Sequence, residues 1–394
     1  MSELGASGRH CGSQPSPAVG KEYWDAALAS AIDRCRENLA AFPPGSYPAA
    51  ASAGGIYPPV PNVDWTSGFW VGMLWISWEA GRNPAFRDAA LATLPDFERR
   101  LRERVNVETH DLGFLYTLST LAAYRIEGSR RGRDCALEAA KLLMERYHPK
   151  AGIIQAWGNL DDPVQRGRII IDCVMNLPLL LWAGEATGEA GFREAAVRHL
   201  QATSKYLLRD DGSTYHTFHF DVETGRPLRG STAQGYSDTS CWARGQAWGI
   251  YGLCLNFHYL RDPSLLEAAA RLADYYLERL PDDLVPYWDL SIQDPGEERD
   301  SSAAAIAASG LLELAACLAV SDGRRRRYEE AALAMALSLV RGYVAAGSRG
   351  TNGILLHAVY DKPSGKGVDE SCVWGDYFYM ELLARLALPR APYW

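Results

Sequence analysis

Residues 167–208 read "GRIIIDCVMNLPLLLWAGEATGEAGFREAAVRHLQATSKYLL". Two helix-length segments meet at a short glycine-flanked joint, "TGEAG". The first, about residues 171–188, is apolar around most of its circumference, as a helix buried on most sides must be. The second, about residues 191–208, sets Arg193, Glu194, Arg198 and Lys205 among its apolar positions, which leaves one face for water. So short a joint makes the two helices antiparallel neighbours. The unit is therefore a helical hairpin with a buried arm and a wet arm. One acid interrupts the buried arm: Asp172 stands between Ile169-Ile170-Ile171 and Cys173-Val174-Met175. An ionised carboxylate without a partner costs several kcal/mol in such surroundings, so Asp172 needs a reason.

The unit recurs. Helix-period patterns fall at about 22–41, 66–81, 84–103, 110–127, 129–146, 171–188, 191–208, 241–261, 263–280, 301–320, 325–345 and 371–388. Every second helix, beginning near 66, 110, 171, 241, 301 and 371, is followed by a short joint, and these starts recur on average about every 61 residues. These helices are the more apolar, as in "SGFWVGMLWISW" and "AAAIAASGLLELAACLAV". Their partners carry the charge, as in "FRDAALATLPDFERRLRER" and "RRRYEEAALAMALSLVRGY". A fixed period of helix pairs is a repeat architecture, either an open solenoid or a closed toroid. The expected fold class is all-α, an (α/α)6 barrel of six helical hairpins with the apolar helices inside. Strand-like alternation is scarce, and one small β-hairpin is expected in "TYHTFHFDVETGRP", residues 214–227. Residues 1–20 are expected to be disordered, with 21–394 as a single catalytic barrel domain. The long loops then gather with the N-termini of the inner helices at one mouth, where function usually sits.

Composition narrows the classes. A net charge of −8 argues against nucleic acid and anionic membrane as partners. No apolar run reaches the roughly 18 residues of a membrane span, and residues 1–20 lack the apolar core of a secretory signal. The 8 cysteines show no CxxC spacing, and Cys173, Cys254 and Cys317 lie in apolar helical stretches. They read as buried thiols of a reducing compartment. The expectation is a cytoplasmic protein, monomer or homodimer. No phosphate-cradling loop, nucleotide fingerprint or GxSxG stretch is present. His216 and His219 form an HxxH in a hairpin without a third ligand, so no metal is expected there.

The inner helix starts bring aromatics and acids to the mouth. They carry Trp65, then His110 and Asp111, then Asp172, then Gln234, Trp242, Arg244 and Trp248, then Trp374 and Asp376. Aromatic faces with a few polar groups suit sugar rings. Bland readings stand beside this one. Asp111 could serve only to cap a helix, and Arg244 with Trp242 and Trp248 could be core packing around a salt-bridged arginine. Two acids in one dry cavity should titrate apart, one of them high, whereas a helix N-terminus lowers a pKa.

The stretches "HDLGFLY", "IIDCVMNLPLLLWA" and "GYSDTSCWARGQAWGIYGL" resemble signature segments of unsaturated glucuronyl hydrolases, and the likeness runs from Trp65 to about Tyr379. The "RGQAWG" core is shared with unsaturated rhamnogalacturonyl hydrolases, while the other segments and "YHTFHFDVETGRP" favour the glucuronyl branch. The resemblance implies an (α/α)6 barrel needing no metal or organic cofactor. It implies a substrate already cut by a polysaccharide lyase, with a 4,5-unsaturated uronic acid at its non-reducing end, and hydration of that vinyl ether. It assigns the proton donor to Asp172 and the second acid to Asp111. It places Gln234, Arg244, Trp242 and Trp248 around the sugar, His216 near the water, and Trp65 and Trp157 in the aromatic wall. Ser364 and Lys366 in "YDKPSGKGVDES" match a loop that accepts sulfated glycosaminoglycan fragments. The alternatives are an unsaturated rhamnogalacturonyl hydrolase, an inverting glycosidase acting on saturated glycans, a barrel isomerase with histidines at its mouth, or a non-catalytic helical scaffold without inward acids.

Overall fold

The computed structural model describes residues 19–345 and 350–394. The expected disordered segment therefore lies almost wholly outside the described residues. The chain opens with α1 (Lys21–Ala41), the strands β1 (Tyr47–Pro48) and β2 (Pro59–Val60), then α2 (Ser67–Gly81), α3 (Pro84–Ala92) and α4 (Leu94–Arg102). Next, α5 (Leu112–Tyr116) runs through a π-helical turn, Thr117–Leu121, into α6 (Ala122–Glu127), and α7 (Arg130–Met144) follows. Strands β3 (Tyr147–His148), β4 (Ile153–Ile154) and β5 (Arg168–Ile170) lead to α8 (Cys173–Thr187) and α9 (Ala190–Ala202), which ends in a second π-helical turn, Thr203–Leu207. Then come β6 (Thr217–Asp221), β7 (Arg226–Ser231), α10 (Ala243–Leu260), α11 (Pro263–Leu277), α12 (Ser301–Cys317) and α13 (Gly323–Gly342). The strands β8 (Ala358–Asp361) and β9 (Lys366–Glu370) and helix α14 (Val373–Ala387) complete the order.

The apolar helices form a closed ring. Helices α2, α5–α6, α8, α10, α12 and α14 each pack on the next, and α14 returns to α2. That return excludes the open solenoid and makes the fold an all-α (α/α)6 barrel. The remaining helices lie outside, α7 and α9 on α8, α11 on α10 and α13 on α12, while α1 covers the seam between α14 and α2. Polar bonds close the seam as well: Tyr57 Oη donates to Asp376 Oδ2 at 3.0 Å, Asn38 Nδ2 to Asn352 O at 2.8 Å, and Val373 N to Ala50 O at 3.1 Å. Among the described residues no helix is long and apolar enough to cross a membrane.

Each expected helix has a counterpart, with three local differences. The expected helix 84–103 breaks at Thr93, because Pro95 has no N–H to continue the ladder and instead opens the first turn of α4. The expected helices 110–127 and 191–208 each take a π turn. Pro178 lies inside α8, where it cannot bond the carbonyl of Val174; Asn256 Nδ2 of α10 donates to that oxygen instead, at 2.7 Å. Helices of the ring approach closely where side chains are missing. A Cβ on Gly113 would stand 2.4 Å from Asn176 Cα, and one on Gly252 would stand 2.4 Å from Val174 Cγ2.

The expected hairpin is β6–β7, and β5 joins it as a third strand, with Ile169 opposite Phe218 and Ile170 opposite Thr217. The isoleucine run is thus a strand that bends straight into α8, with Asp172 at the corner. The pairs β1–β2, β3–β4 and β8–β9 were not foreseen, since most of their strands are too short for an alternation to register.

Candidate active site

At the N-terminal ends of the inner helices lies a cavity of about 610 Å³. Its wall includes Trp65, Asp111, Trp157, Asp172, His216, Gln234, Trp242 and Arg244. These residues come from loops and helix starts far apart in sequence, which the closed ring brings to one mouth.

Asp172 occupies the N-cap position of α8, yet its side chain caps nothing. It is 8% exposed, and Oδ1 has no hydrogen-bond partner. Ile169 and Ile171 on its strand side are fully buried, and Ile170 shares the cavity wall. Burial pushes the carboxyl up to about 7; His110 and Arg244 pull it down, and Asp111 adds to the rise. Desolvation therefore outweighs the pull of His110 and Arg244.

Asp111 stands at the N-cap position of α5 and also makes no cap bond. Its Oδ2 accepts from Thr109 Oγ1 at 2.7 Å, and His110 Nε2 lies 3.3 Å from Oδ1. His110 is completely buried. Burial opposes its charge, but Asp111 and Cys173 raise it to about 10. A cation thus sits directly behind the second acid.

Arg244, in the first turn of α10, is 1% exposed. Its guanidinium lies 4.4 Å from the Trp242 ring centre and 4.9 Å from that of Trp374. Nη1 bonds Asp300 Oδ2 at 3.0 Å and the carbonyl of Val359; Nη2 reaches the carbonyl of Tyr360 at 2.6 Å and Gln234 Oε1 at 3.5 Å. Asp300 in turn caps α12 through Ser302 N and Ala303 N. The salt-bridged core arginine and the cavity cation are thus one and the same residue.

His216 is buried beside Trp242, with ring centres 4.8 Å apart. Its Nδ1 accepts from Ala233 N at 3.3 Å and lies 2.6 Å from Thr217 Oγ1. That assigns the proton to Nε2. Burial, Arg244 and His110 hold the ring neutral, down at about 3. His216 can offer an N–H to a water or a sugar but cannot act as an acid near neutrality.

Five expected site residues stand elsewhere than in the cavity wall. His110, Trp248 and Trp374 are fully buried behind it. Trp248 packs against Phe114 and Phe378, and Trp374 stacks on Trp65 at 5.1 Å. They are large apolar or paired groups on the ring-facing sides of their helices, so they support the wall residues. Ser364 and Lys366 lie at the β8–β9 turn, also outside the wall. Lys366 Nζ is 4.2 Å from the ring centre of Tyr360, which does line the cavity.

Arg100 and Tyr360 are among the wall residues that were missed. Arg100 reads in sequence as one more charge of a wet outer helix. In the fold it is 1% exposed and bonds Asn62 Oδ1, Asp64 O, Val105 O and Asn106 O, tying the loop that carries Trp65 to the loop that leads to Asp111. Tyr360 is bonded by Trp65 Nε1 at 3.0 Å across the seam of the ring. No pattern marks it in the sequence.

With the geometry in place, comparison with known proteins is direct. The chain is 44% identical over 372 residues, 94% of this chain and 98% of the other, to "Unsaturated glucuronyl hydrolase" of Bacillus sp. strain GL1. It is 43% identical over 381 residues, 96% and 95% of the two chains, to "Unsaturated chondroitin disaccharide hydrolase" of Streptococcus pneumoniae. A crystal structure of the unsaturated glucuronyl hydrolase of Streptococcus agalactiae superimposes with a TM-score of 0.93 at 41% identity, covering 96% of this chain and 95% of that one. A mutant of the same protein, solved complexed with dGlcA-GalNAc6S, gives a TM-score of 0.86 at 39% identity over the same shares. The model of "Glycosyl Hydrolase Family 88" matches residues 51–336. An (α/α)6 barrel with paired acids in an aromatic mouth, matched by that family over most of its length, belongs to Glycosyl Hydrolase Family 88.

Proposed function

We propose that the cavity removes a 4,5-unsaturated glucuronic acid from the non-reducing end of lyase-generated, glycosaminoglycan-type oligosaccharides. The observation that carries this reading is Asp172, a buried carboxyl pushed up to about 7 beside a fixed cation and a neutral imidazole. At neutral pH much of it holds its proton, as a general acid must.

The reaction follows from those groups. Asp172 gives its proton to C4 of the vinyl ether, and the positive charge formed at C5 is shared with the ring oxygen. Water adds at C5 and returns a proton to the Asp172 carboxylate, so the acid is regenerated. The hemiketal then opens and the aglycone leaves. The substrate carboxylate suits Arg244, whose planar guanidinium is held between two tryptophans. His216 Nε2–H is a donor for the attacking water or a sugar hydroxyl. Trp65, Trp157 and Trp242 offer ring faces to the sugars. Asp111, with His110 behind it, accepts substrate hydroxyls and sets the field on Asp172.

Lys366 and Ser364 favour sulfated fragments: the ammonium sits at the rim beside Tyr360, and a relative binds the sulfated dGlcA-GalNAc6S. The whole cavity comes from one chain, so 21–394 acts as one catalytic barrel whether as monomer or homodimer. Seven described cysteines are unpaired and six of them buried, which supports a cytoplasmic setting.

The test is the ultraviolet absorbance of an unsaturated chondroitin or hyaluronan disaccharide during incubation. Loss of the double-bond signal with the native chain but not with Asp172→Asn is expected. An unchanged signal on sulfated and unsulfated disaccharides alike overturns the proposal and turns attention to unsaturated rhamnogalacturonan or saturated glycans.

A further inference from the structure

At the end of the barrel opposite the cavity, helices α10 and α12 bring together three unlike donors. His258 lies in the last turn of α10, 14 residues beyond Arg244 and so about 21 Å along the helix axis from the cavity. Glu313 and Cys317 are one turn apart on α12 and face it. His258 Nε2 is 2.6 Å from Glu313 Oε1, Cys317 Sγ is 3.6 Å from His258 Nε2, and Cys317 Sγ is 3.9 Å from Glu313 Oε1. Among the described residues no other group of three such ligand atoms converges in this way.

We infer that His258, Glu313 and Cys317 form a site for a thiophilic divalent cation, Zn²⁺ in the first instance. Tetrahedral zinc with ordinary Zn–S and Zn–N or Zn–O lengths sets S···N and S···O edges of about 3.6 Å and an N···O edge of about 3.3 Å. The two sulfur edges are already within a few tenths of an ångström of that. Only the N···O edge, 2.6 Å in the metal-free hydrogen bond, must widen. Arg385 Nη2 holds the other oxygen, Glu313 Oε2, at 2.8 Å. It fixes which carboxylate oxygen faces the site, as outer partners of metal ligands do. The His258 side chain is 40% exposed, which leaves a fourth position for water. His258 and Glu313 are 55 positions apart, beyond any spacing a sequence motif would flag. A cation here would clamp the far ends of two neighbouring ring helices.

The test loads chelator-treated, reduced protein with Zn²⁺ by equilibrium dialysis and with Co²⁺ for absorption spectroscopy. The native chain should bind one equivalent more than Cys317→Ser or His258→Gln. Its Co²⁺ form should show a near-ultraviolet thiolate-to-metal band that Cys317→Ser lacks. Zn²⁺ should raise the melting temperature of the native chain alone. Because these residues stand far from the cavity, both variants should keep native activity, which also shows that they fold. Equal stoichiometry in the native chain and both variants, or a Co²⁺ spectrum without the thiolate band, would make the triad a plain hydrogen-bond network and overturn the proposal.

Discussion

Replacing Asp172 by Asn should abolish activity and at the same time stabilise the fold increasingly as pH rises. In the folded chain the carboxyl keeps its proton up to about 7; in the unfolded chain it loses it from its ordinary value of 3.8. Between those values the unfolded state releases a proton that the folded state retains, so rising pH favours unfolding. The full gap of about three units corresponds to about 4 kcal/mol. Between pH 5 and pH 8 the change is about 2–3 kcal/mol, since part of the penalty is already present at pH 5. For 394 residues the unfolding entropy is about 0.8 kcal/mol per kelvin, so the difference in melting temperature between Asp172→Asn and the native chain should grow by about 3 °C over that window. Asp376, also buried and raised to about 7, titrates in the same window but does so in both proteins and cancels. Paired thermal melts at several pH values supply the measurement, with disaccharide turnover expected to fall about 10²–10⁴-fold. A melting difference that stays constant from pH 5 to pH 8 would refute the account of Asp172 as a buried, high-titrating acid.

Turnover of the native enzyme should decline as pH rises through about 7, because the donor must be protonated; a profile that falls only on the acidic side would contradict a carboxylic acid donor. Lys366→Ala should reduce kcat/KM on a sulfated unsaturated disaccharide and spare the unsulfated one; equal loss on both would remove Lys366 from substrate selection. Arg244→Ala strips Asp300 of its cation in a site where both are at most 1% exposed, and should cost about 3–5 kcal/mol on a denaturant melt as well as substrate binding. A cost under 1 kcal/mol would show that the cap bonds of Asp300 suffice without the arginine.

The repeat of helix pairs was legible because it rests on long periodic patterns, and the cores of the inner helices follow directly from it. The corner at Asp172 was legible for a different reason: a lone acid in an apolar run has few structural excuses, and here its side chain caps nothing. Tyr360 and Arg100 were not legible. Their positions depend on which loops meet when the ring closes, and an arginine in "FERRLRER" looks the same whether it faces water or four loop carbonyls and amides. Trp248 and Trp374 mark the converse limit. Sequence places them near the mouth, but whether an aromatic faces the cavity or lies behind it turns on a fraction of a helical turn, which boundary errors of a residue or two erase.

The seam of the ring has a consequence for how the protein comes into being. Trp65 and Tyr360 meet across it, 295 positions apart, and Tyr57 and Asp376 meet 319 positions apart. A chain emerging from the ribosome can build hairpin after hairpin through local contacts, but five sides of a hexagon leave two unmatched apolar flanks. Those flanks are the natural prey of chaperones and of aggregation until α14 arrives to join them. The aromatic wall is unfinished until the same moment. Turnover would then report on completed synthesis: a chain truncated before α14 could retain Asp172, Asp111 and Arg244 in full and still have no closed pocket in which to use them.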